Sequence, residues 1–188
     1  HGQATTTGEG VSGTRIVGVA EAASAGVGVE GGSVRELAVK AEFPAARVSY
    51  RFKSKISLYR EVFKARDPDT GAQRLAGLAL AQMEDDPDRR LELIVKAALM
   101  PMLSLRKVAG SANFGILLAR EAIDPKSAER GIIKEIFDPT AQATIALLRK
   151  TLPQRSEAEI VWAFQMMIGT MLYIMADTGR SVHLSGGL

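Results

Sequence analysis

The chain has 188 residues, 46% hydrophobic and 24% charged, with a net charge of +3, which suits one large or two small folded domains around a real apolar core. It contains no cysteine, and its only histidines are His1 and His183. Disulfides, thiolate metal sites and a cysteine nucleophile are therefore excluded, and neither a histidine metal cluster, a Ser-His-Asp triad nor any cofactor is expected.

Residues 1–13, HGQATTTGEGVSG, are small and polar, without a basic segment followed by an apolar run; they read as a disordered arm rather than a secretory signal. Thr14 is placed to cap a first helix carrying Ile16, Val19, Ala20 and Ala23 on one side, closed by Gly26 and Gly28. Ser33 followed by Glu36 is a capping box opening VRELAVKA, whose inward residues are Val34, Leu37, Ala38 and Ala41. After the break at Glu42-Phe43-Pro44, a third helix turns Val48 and Phe52 inward, with Pro44 at its first position. Ser54 caps a fourth, with Leu58, Val62 and Tyr59 inward. Asp67-Pro68 predicts a helix stop and a domain boundary.

Beyond it, helices are expected at about 69–83, 88–105, 110–122, 127–151 and 156–177, joined by short turn-like separators. No segment sustains the period of two that marks a strand. The longest apolar stretch, IVWAFQMMIGTMLYIM at 160–175, is interrupted by Gln165 and Thr170 and falls short of the roughly 18 residues of a membrane span. It reads as a buried helix. The tail ADTGRSVHLSGGL has no helical period and reads as a chain that continues past Leu188. The predicted fold is all-α: a disordered arm at 1–13, a three-helix helix-turn-helix bundle at 14–66, and a larger helical ligand-binding and dimerisation domain at 67–188.

Charge is unevenly placed. Residues 1–66 carry ten Lys/Arg against six Asp/Glu, whereas 67–188 carry fourteen against fifteen. Between 47 and 66 there are seven basic residues and one acid, Glu61. Charge alone fits a solvated basic face or a polyanion-binding surface equally. The layout of residues 33–52, two short helices around a three-residue turn, is that of a DNA-reading helix-turn-helix. Its second helix would present Ala45, Ala46, Arg47, Ser49 and Tyr50 to the major groove, with Arg47 as the one long donor near its front. Ser33, Arg35, Arg51, Lys53 and Lys55 would lie within reach of phosphates.

SVRELAVKAEFPAARVSYRFKSKISLYREV, residues 33–62, resembles the N-terminal DNA-binding domain of the TetR family of transcriptional repressors, and the resemblance extends over 14–66. It implies a cytoplasmic homodimer on a pseudo-palindromic double-stranded DNA operator, released by a small-molecule effector held in the C-terminal domain, with no membrane partner. It also implies that Lys55 and the Ser33 hydroxyl hold phosphates. Three positions depart from the family pattern: Glu42 stands where the turn has Gly, Pro44 where the recognition helix has a Ser or Thr cap, and Ser49 where a phosphate-contacting Tyr is usual, with Tyr50 one position later.

In the C-terminal part, the helix at 156–177 is apolar on more than one face, so it is expected to be buried on two sides. Ile160, Val161, Phe164, Met167, Ile168, Met171 and Leu172 are assigned to a dimer interface within a four-helix bundle, where Gly169 allows close approach. A ligand pocket is expected among Met100, Leu103, Phe114, Leu117, Leu118, Trp162 and Met166, with Glu121, Gln165 and Thr170 as polar contacts. LLAREAIDP, residues 117–125, resembles a segment of one branch of TetR-like C-terminal domains, and that resemblance implies that Arg120 and Glu121 form an internal ion pair rather than a ligand site. Glu157 and Glu159 are the nearest approach to a catalytic acid pair, but at adjacent-but-one positions on a helix they point apart, so an enzyme is not expected. The expectation is a ligand-released DNA-binding regulator; the alternative is a ligand- or protein-binding module without specific DNA recognition.

Overall fold

The computed structural model describes residues 5–108 and 111–187. Among them there are helices and turns but no strand, an all-α fold. The chain divides into two compact units, His1–Asp67 and Pro68–Leu188.

The first unit opens with α1, Thr5–Val27. The helix begins well before Thr14, so Thr14 is not its cap, and the arm expected to be disordered is helical from Thr5. The first four residues lie outside those described. A single 3₁₀ turn, Gly28–Glu30, leads to α2, Val34–Lys40. Its capping box forms as the sequence predicts: the Glu36 N–H donates to Ser33 Oγ at 3.2 Å and the Ser33 N–H to Glu36 Oε2 at 2.7 Å. Next come α3, Ala45–Phe52, and α4, Lys55–Gln82. Ser54 caps α4 by accepting the Ser57 N–H at 3.1 Å.

Ile16 and Ala20 of α1, Leu37 and Ala38 of α2, Val48 and Phe52 of α3, and Leu58, Tyr59, Val62 and Phe63 of α4 are buried. Tyr59 and Phe63 meet edge to face at 5.2 Å between centroids. The buried Glu21 takes two bonds from Arg66, Nε at 2.9 Å and Nη2 at 3.0 Å, tying α1 to α4.

The expected stop at Asp67-Pro68 does not occur: α4 runs through both residues. An interior proline costs a helix ~3 kcal/mol. Here the turns on either side are anchored independently, by Val62 and Phe63 before it and by Thr70, Leu78 and Ala81 after it.

The second unit continues with α5, Pro87–Ser104, capped by Asp86, whose carboxylate accepts the N–H groups of Asp88 and Arg89. Then come α6, Ala112–Ile123; α7, Ser127–Arg130; α8, Ile132–Ile136; and α9, Asp138–Thr151. The single helix expected over 127–151 is thus three. Gly131, at φ 66°, breaks it once, and it breaks again at Phe137, where α9 starts with Pro139 in its first turn. α10, Glu157–Met175, has its own capping box between Ser156 and Glu159. A short α11, Arg180–Leu184, lies in the tail expected to be non-helical.

α10 packs on α5, α6 and α9. Leu78, Ile94, Ala97, Leu147, Leu148, Ile160 and Phe164 form its core cluster with Ala81. α10 has 19 residues and, against the sequence expectation, is long and apolar enough to cross a membrane by length and composition. Its packing on three helices accounts for one apolar side as the inner layer of a bundle.

Candidate nucleic-acid interface and ligand cavity

The turn between α2 and α3 is closed by backbone bonds from Ala41 N–H to Leu37 O, Glu42 N–H to Val39 O and Phe43 N–H to Ala38 O, at 2.9, 3.0 and 2.9 Å. Glu42 occupies a left-handed conformation, φ 56°, the one that favours glycine. Its carboxylate pairs with Arg15, whose guanidinium also lies 6.0 Å from the Phe43 ring centroid. Pro44 occupies the cap position of α3 and supplies no side-chain bond to the first turn, so α3 starts one residue later than the sequence suggests.

With Val48 and Phe52 buried, α3 turns Ala46, Arg47, Ser49, Tyr50 and Arg51 outward; Ala45 is half-buried. Tyr50 is 88% exposed. Arg51 lies against the Phe52 ring at 5.2 Å. Among the described residues the Arg47 guanidinium has no hydrogen-bond or ion-pair partner, and the reading of it as a surface arginine pairing with a neighbouring acid finds no such acid there, while its backbone N–H donates to the Pro44 carbonyl at 3.0 Å. Arg35 and Lys53 are exposed, Lys53 at φ 30° just past α3.

Lys55 is half-buried and meets Glu30 at 3.4 Å, a long pair with an exposed acid that a phosphate could displace at little cost. Side chains already occupy part of the N–H groups at the starts of α2 and α4. The Ser33 and Glu36 N–H groups are taken by the capping box, and Ser57 N–H by Ser54. The Ser33 hydroxyl acts in the capping box as an acceptor.

The second unit holds a cavity of about 240 Å³. Ala98, Met102, Leu118, Ala122, Ile133 and Phe137 form one part of its wall. Ala141, Phe164, Ile168, Met171 and Leu172 form another, and Arg74, Asp138, Thr140, Thr144 and Gln165 are its polar members. Arg74 is 7% exposed; its Nε donates to the Thr70 carbonyl at 3.4 Å and its guanidinium carbon lies 5.5 Å from the Phe137 centroid.

Of the residues expected to line a pocket, Leu118 and Gln165 do. Phe114 and Leu117 are buried away from the lining, Leu103 is half-buried and Met100 is 51% exposed. Glu121 is buried in an ion pair, though its partner is Arg130 rather than Arg120: Arg130 Nη2 donates at 2.6 Å and Nε bonds both carboxylate oxygens, with Ser127 Oγ at 3.2 Å. Burial alone would push the Arg130 guanidinium down, and the carboxylates of Glu121 and Asp124 more than offset this and raise it. The Asp124 carboxyl is itself held low, chiefly by the Lys126 N–H.

Within the chain, burial along α10 runs opposite to the expected assignment. Ile160, Phe164 and Met171 are buried, and Met167, Ile168 and Leu172 half-buried, all assigned earlier to a dimer interface; of that set Val161 is exposed. Trp162 and Met166, assigned to a pocket, are 65% and 67% exposed, and Thr170 is exposed beside them. Glu157 and Glu159, considered as an acid pair, have separate structural tasks. Glu157 pairs with Arg149 and Glu159 closes the α10 capping box, and these bonds hold both carboxyls below their usual range.

Residues 96–188 match the family of tetracyclin repressor-like C-terminal domains. Two solved structures resemble the whole chain, both mutants of the HlyIIR protein. The one with a linker substitution aligns with a TM-score of 0.62 at 22% identity over 96% of this chain and 91% of its own; the one with an alanine substitution aligns with a TM-score of 0.58 at 22% identity over 96% of both. At that identity the likeness is one of fold. No curated protein matches the sequence significantly.

Proposed function

We propose that this chain is a transcriptional regulator of the TetR family, a reading supported by the match of its C-terminal half and by its fold, and that it is a repressor that binds a DNA operator as a homodimer in the cytoplasm and is released by a small effector. The first unit reads DNA; the second dimerises and holds the effector. The observation that carries the reading is α3: a helix anchored by Val48 and Phe52 that leaves the Arg47 guanidinium exposed, without an internal partner, beside Ser49, Tyr50 and Arg51. Arg47 is the residue able to bond a guanine bidentately, and Ser33, Arg35, Lys53 and Lys55 supply phosphate contacts. Effector binding acts by population shift, favouring a spacing of the paired recognition helices that no longer fits successive major grooves.

Fluorescence anisotropy on DNA flanking the protein's own coding sequence, at two salt concentrations, tests this. Specific binding should exceed random DNA by roughly a thousand-fold. Arg47→Ala should lose ~1–3 kcal/mol at the specific site, while Lys55→Ala should weaken all DNA and flatten the salt dependence. Equally weak, salt-sensitive binding on every fragment, unchanged in Arg47→Ala, would sink the reading. It would favour a module without specific DNA recognition, which the Glu42 carboxylate in the turn and the uncapped start of α3 support.

A further inference from the structure

The cations assigned to DNA phosphates differ in what holds them before DNA arrives. Among the described residues Arg35 and Lys53 form no ion pair, whereas Lys55 meets Glu30 at 3.4 Å. The Lys55 side chain is 30% exposed and that of Glu30 is 83% exposed. The cation is thus held by its surroundings, and the acid is the partner able to swing away. We propose that Glu30 sets the affinity of the DNA interface: in the free protein its carboxylate occupies the place on Lys55 that a DNA phosphate takes in the complex. This rests on the DNA-binding reading and adds to it a residue that acts against binding.

The backbone fixes where Glu30 stands. Glu30 ends the 3₁₀ turn Gly28–Glu30. That turn is closed by the Gly31 N–H, which donates to the Gly28 carbonyl at 3.1 Å, and by the Gly32 N–H, which donates to the Glu30 carbonyl at 2.7 Å. A Cβ at Gly31 would lie 2.6 Å from the Ala23 carbonyl oxygen, so the turn is pressed against α1 and only the Glu30 side chain has room to move. Lys55, at the first position of α4, also has Glu36 nearby. The Glu36 carboxyl is held low first by the Ser33 N–H and hydroxyl, and further by the charges of Lys40 and Lys55. Glu36 is committed to its capping box, so Glu30 is the carboxylate that can leave. A phosphate arriving at Lys55 breaks a pair of small worth. It then has the Glu30 carboxylate beside it, and like charges repel. Both effects act through the DNA backbone and so weaken binding to any duplex, whatever its sequence.

The test is fluorescence anisotropy of the full chain on one labelled random-sequence duplex, at about 50 and 200 mM salt. The proteins compared are the parent, Glu30→Gln, Lys55→Ala and the double variant. Glu30→Gln should bind roughly threefold tighter for each protomer on the duplex, the scale of one exposed ion pair. The gain should be smaller at the higher salt, which screens that pair. In the Lys55→Ala background the same change should gain much less, because the two residues act on one phosphate. Unchanged binding in Glu30→Gln would overturn the proposal. So would an equal gain with and without Lys55, which would make Glu30 one more surface charge. With the parent bound and Lys55→Ala weakened, either result leaves the DNA-binding reading standing. A parent that binds the duplex at neither salt would overturn the proposal and that reading together. Glu30 is exposed in a surface turn, and circular dichroism of each variant separates a lost fold from a changed affinity.

Discussion

Glu42 holds φ 56° in the turn between α2 and α3, a conformation that costs a residue with a Cβ ~1–2 kcal/mol. Its ion pair with Arg15 joins two well-exposed side chains and returns less than ~1 kcal/mol. Glu42→Gly should therefore stabilise the protein by ~1 kcal/mol, raising Tm by ~2–4 °C for a chain of this size. It should also tighten DNA binding by removing a carboxylate from the proposed interface; calorimetry and anisotropy read the two effects separately. The opposite sign holds at Arg130. Arg130→Met would strand the buried Glu121 carboxylate, a loss of ~3–5 kcal/mol, and the double change Glu121→Leu with Arg130→Met should recover much of it. A double variant no more stable than Arg130→Met, as read by urea unfolding, would contradict this account. The caps at Ser33 and Ser54 were legible in the sequence because each is a local bond fixed by spacing, whereas the left-handed turn at Glu42 was signalled only by the family resemblance, which has Gly there. The partner of Glu121 was not legible. Arg120 and Arg130 are equally good partners on paper, and only the reversal of the chain at α7 brings Arg130 back onto α6.

At the scale of the element, the helices were legible in order up to residue 123, although two of those expected, on either side of Pro68, are a single helix, and the misreadings cluster where one residue competes with a long-range force. Pro68 was read as a stop, and packing on both sides carries α4 through it; Gly131 was passed over, and its positive φ divides a predicted helix. Glycines inside the helices separate by what a Cβ would meet. At Gly77 it would lie 2.7 Å from the Ala97 Cβ and 3.2 Å from its Cα, so α4 and α5 touch closely there. Gly77→Val should cost ~1–3 kcal/mol by overpacking, more than any gain in helix propensity. Gly18 has nothing within 4 Å, and Gly18→Ala should raise Tm by the propensity gain alone, up to ~1 kcal/mol. The capping boxes give a pH dependence. The Glu36 and Glu159 carboxyls are held below their ordinary value of 4.5, first by the N–H groups of Ser33 and Ser156. A carboxyl lowered in the folded state binds protons more readily when unfolded, so its contribution is complete above about 4.5 and lost as pH falls through the folded value. Tm should thus decline in that acid window, and the Glu36→Gln, Glu159→Gln double variant should show a shallower decline. An unchanged slope would assign the acid sensitivity to other groups.

For the molecule as a whole, the proposed homodimer turns on the outer face of α10. The sequence showed a helix apolar on more than one face and so predicted two buried sides, but it assigned them wrongly to their neighbours, because apolar residues spread over several faces leave little moment to set the helix's rotation. The structure sets it through Ile160, Phe164, Met171 and Met175, all buried, and leaves Trp162, Met166, Gly169 and Tyr173 along one outer stripe, with Trp162, Met166 and Tyr173 at least 55% exposed. Thr170 does not interrupt the apolar character, since its hydroxyl donates to the Met166 carbonyl at 2.9 Å. Gly169 has nothing within 4 Å, leaving room for a second helix to approach. A twofold interface presents every residue twice, so one substitution places two like charges in one desolvated seam. Trp162→Asp with Met166→Asp should convert a dimer into a monomer in sedimentation velocity and leave the helical circular dichroism intact, because both side chains are exposed within one chain. Leu80→Asp, an equally exposed apolar position at 64% on α4, should leave the dimer alone. The monomeric variant should also lose operator affinity, since one recognition helix reaches only one half-site. Dissociation by Leu80→Asp and not by the α10 pair would move the interface off α10.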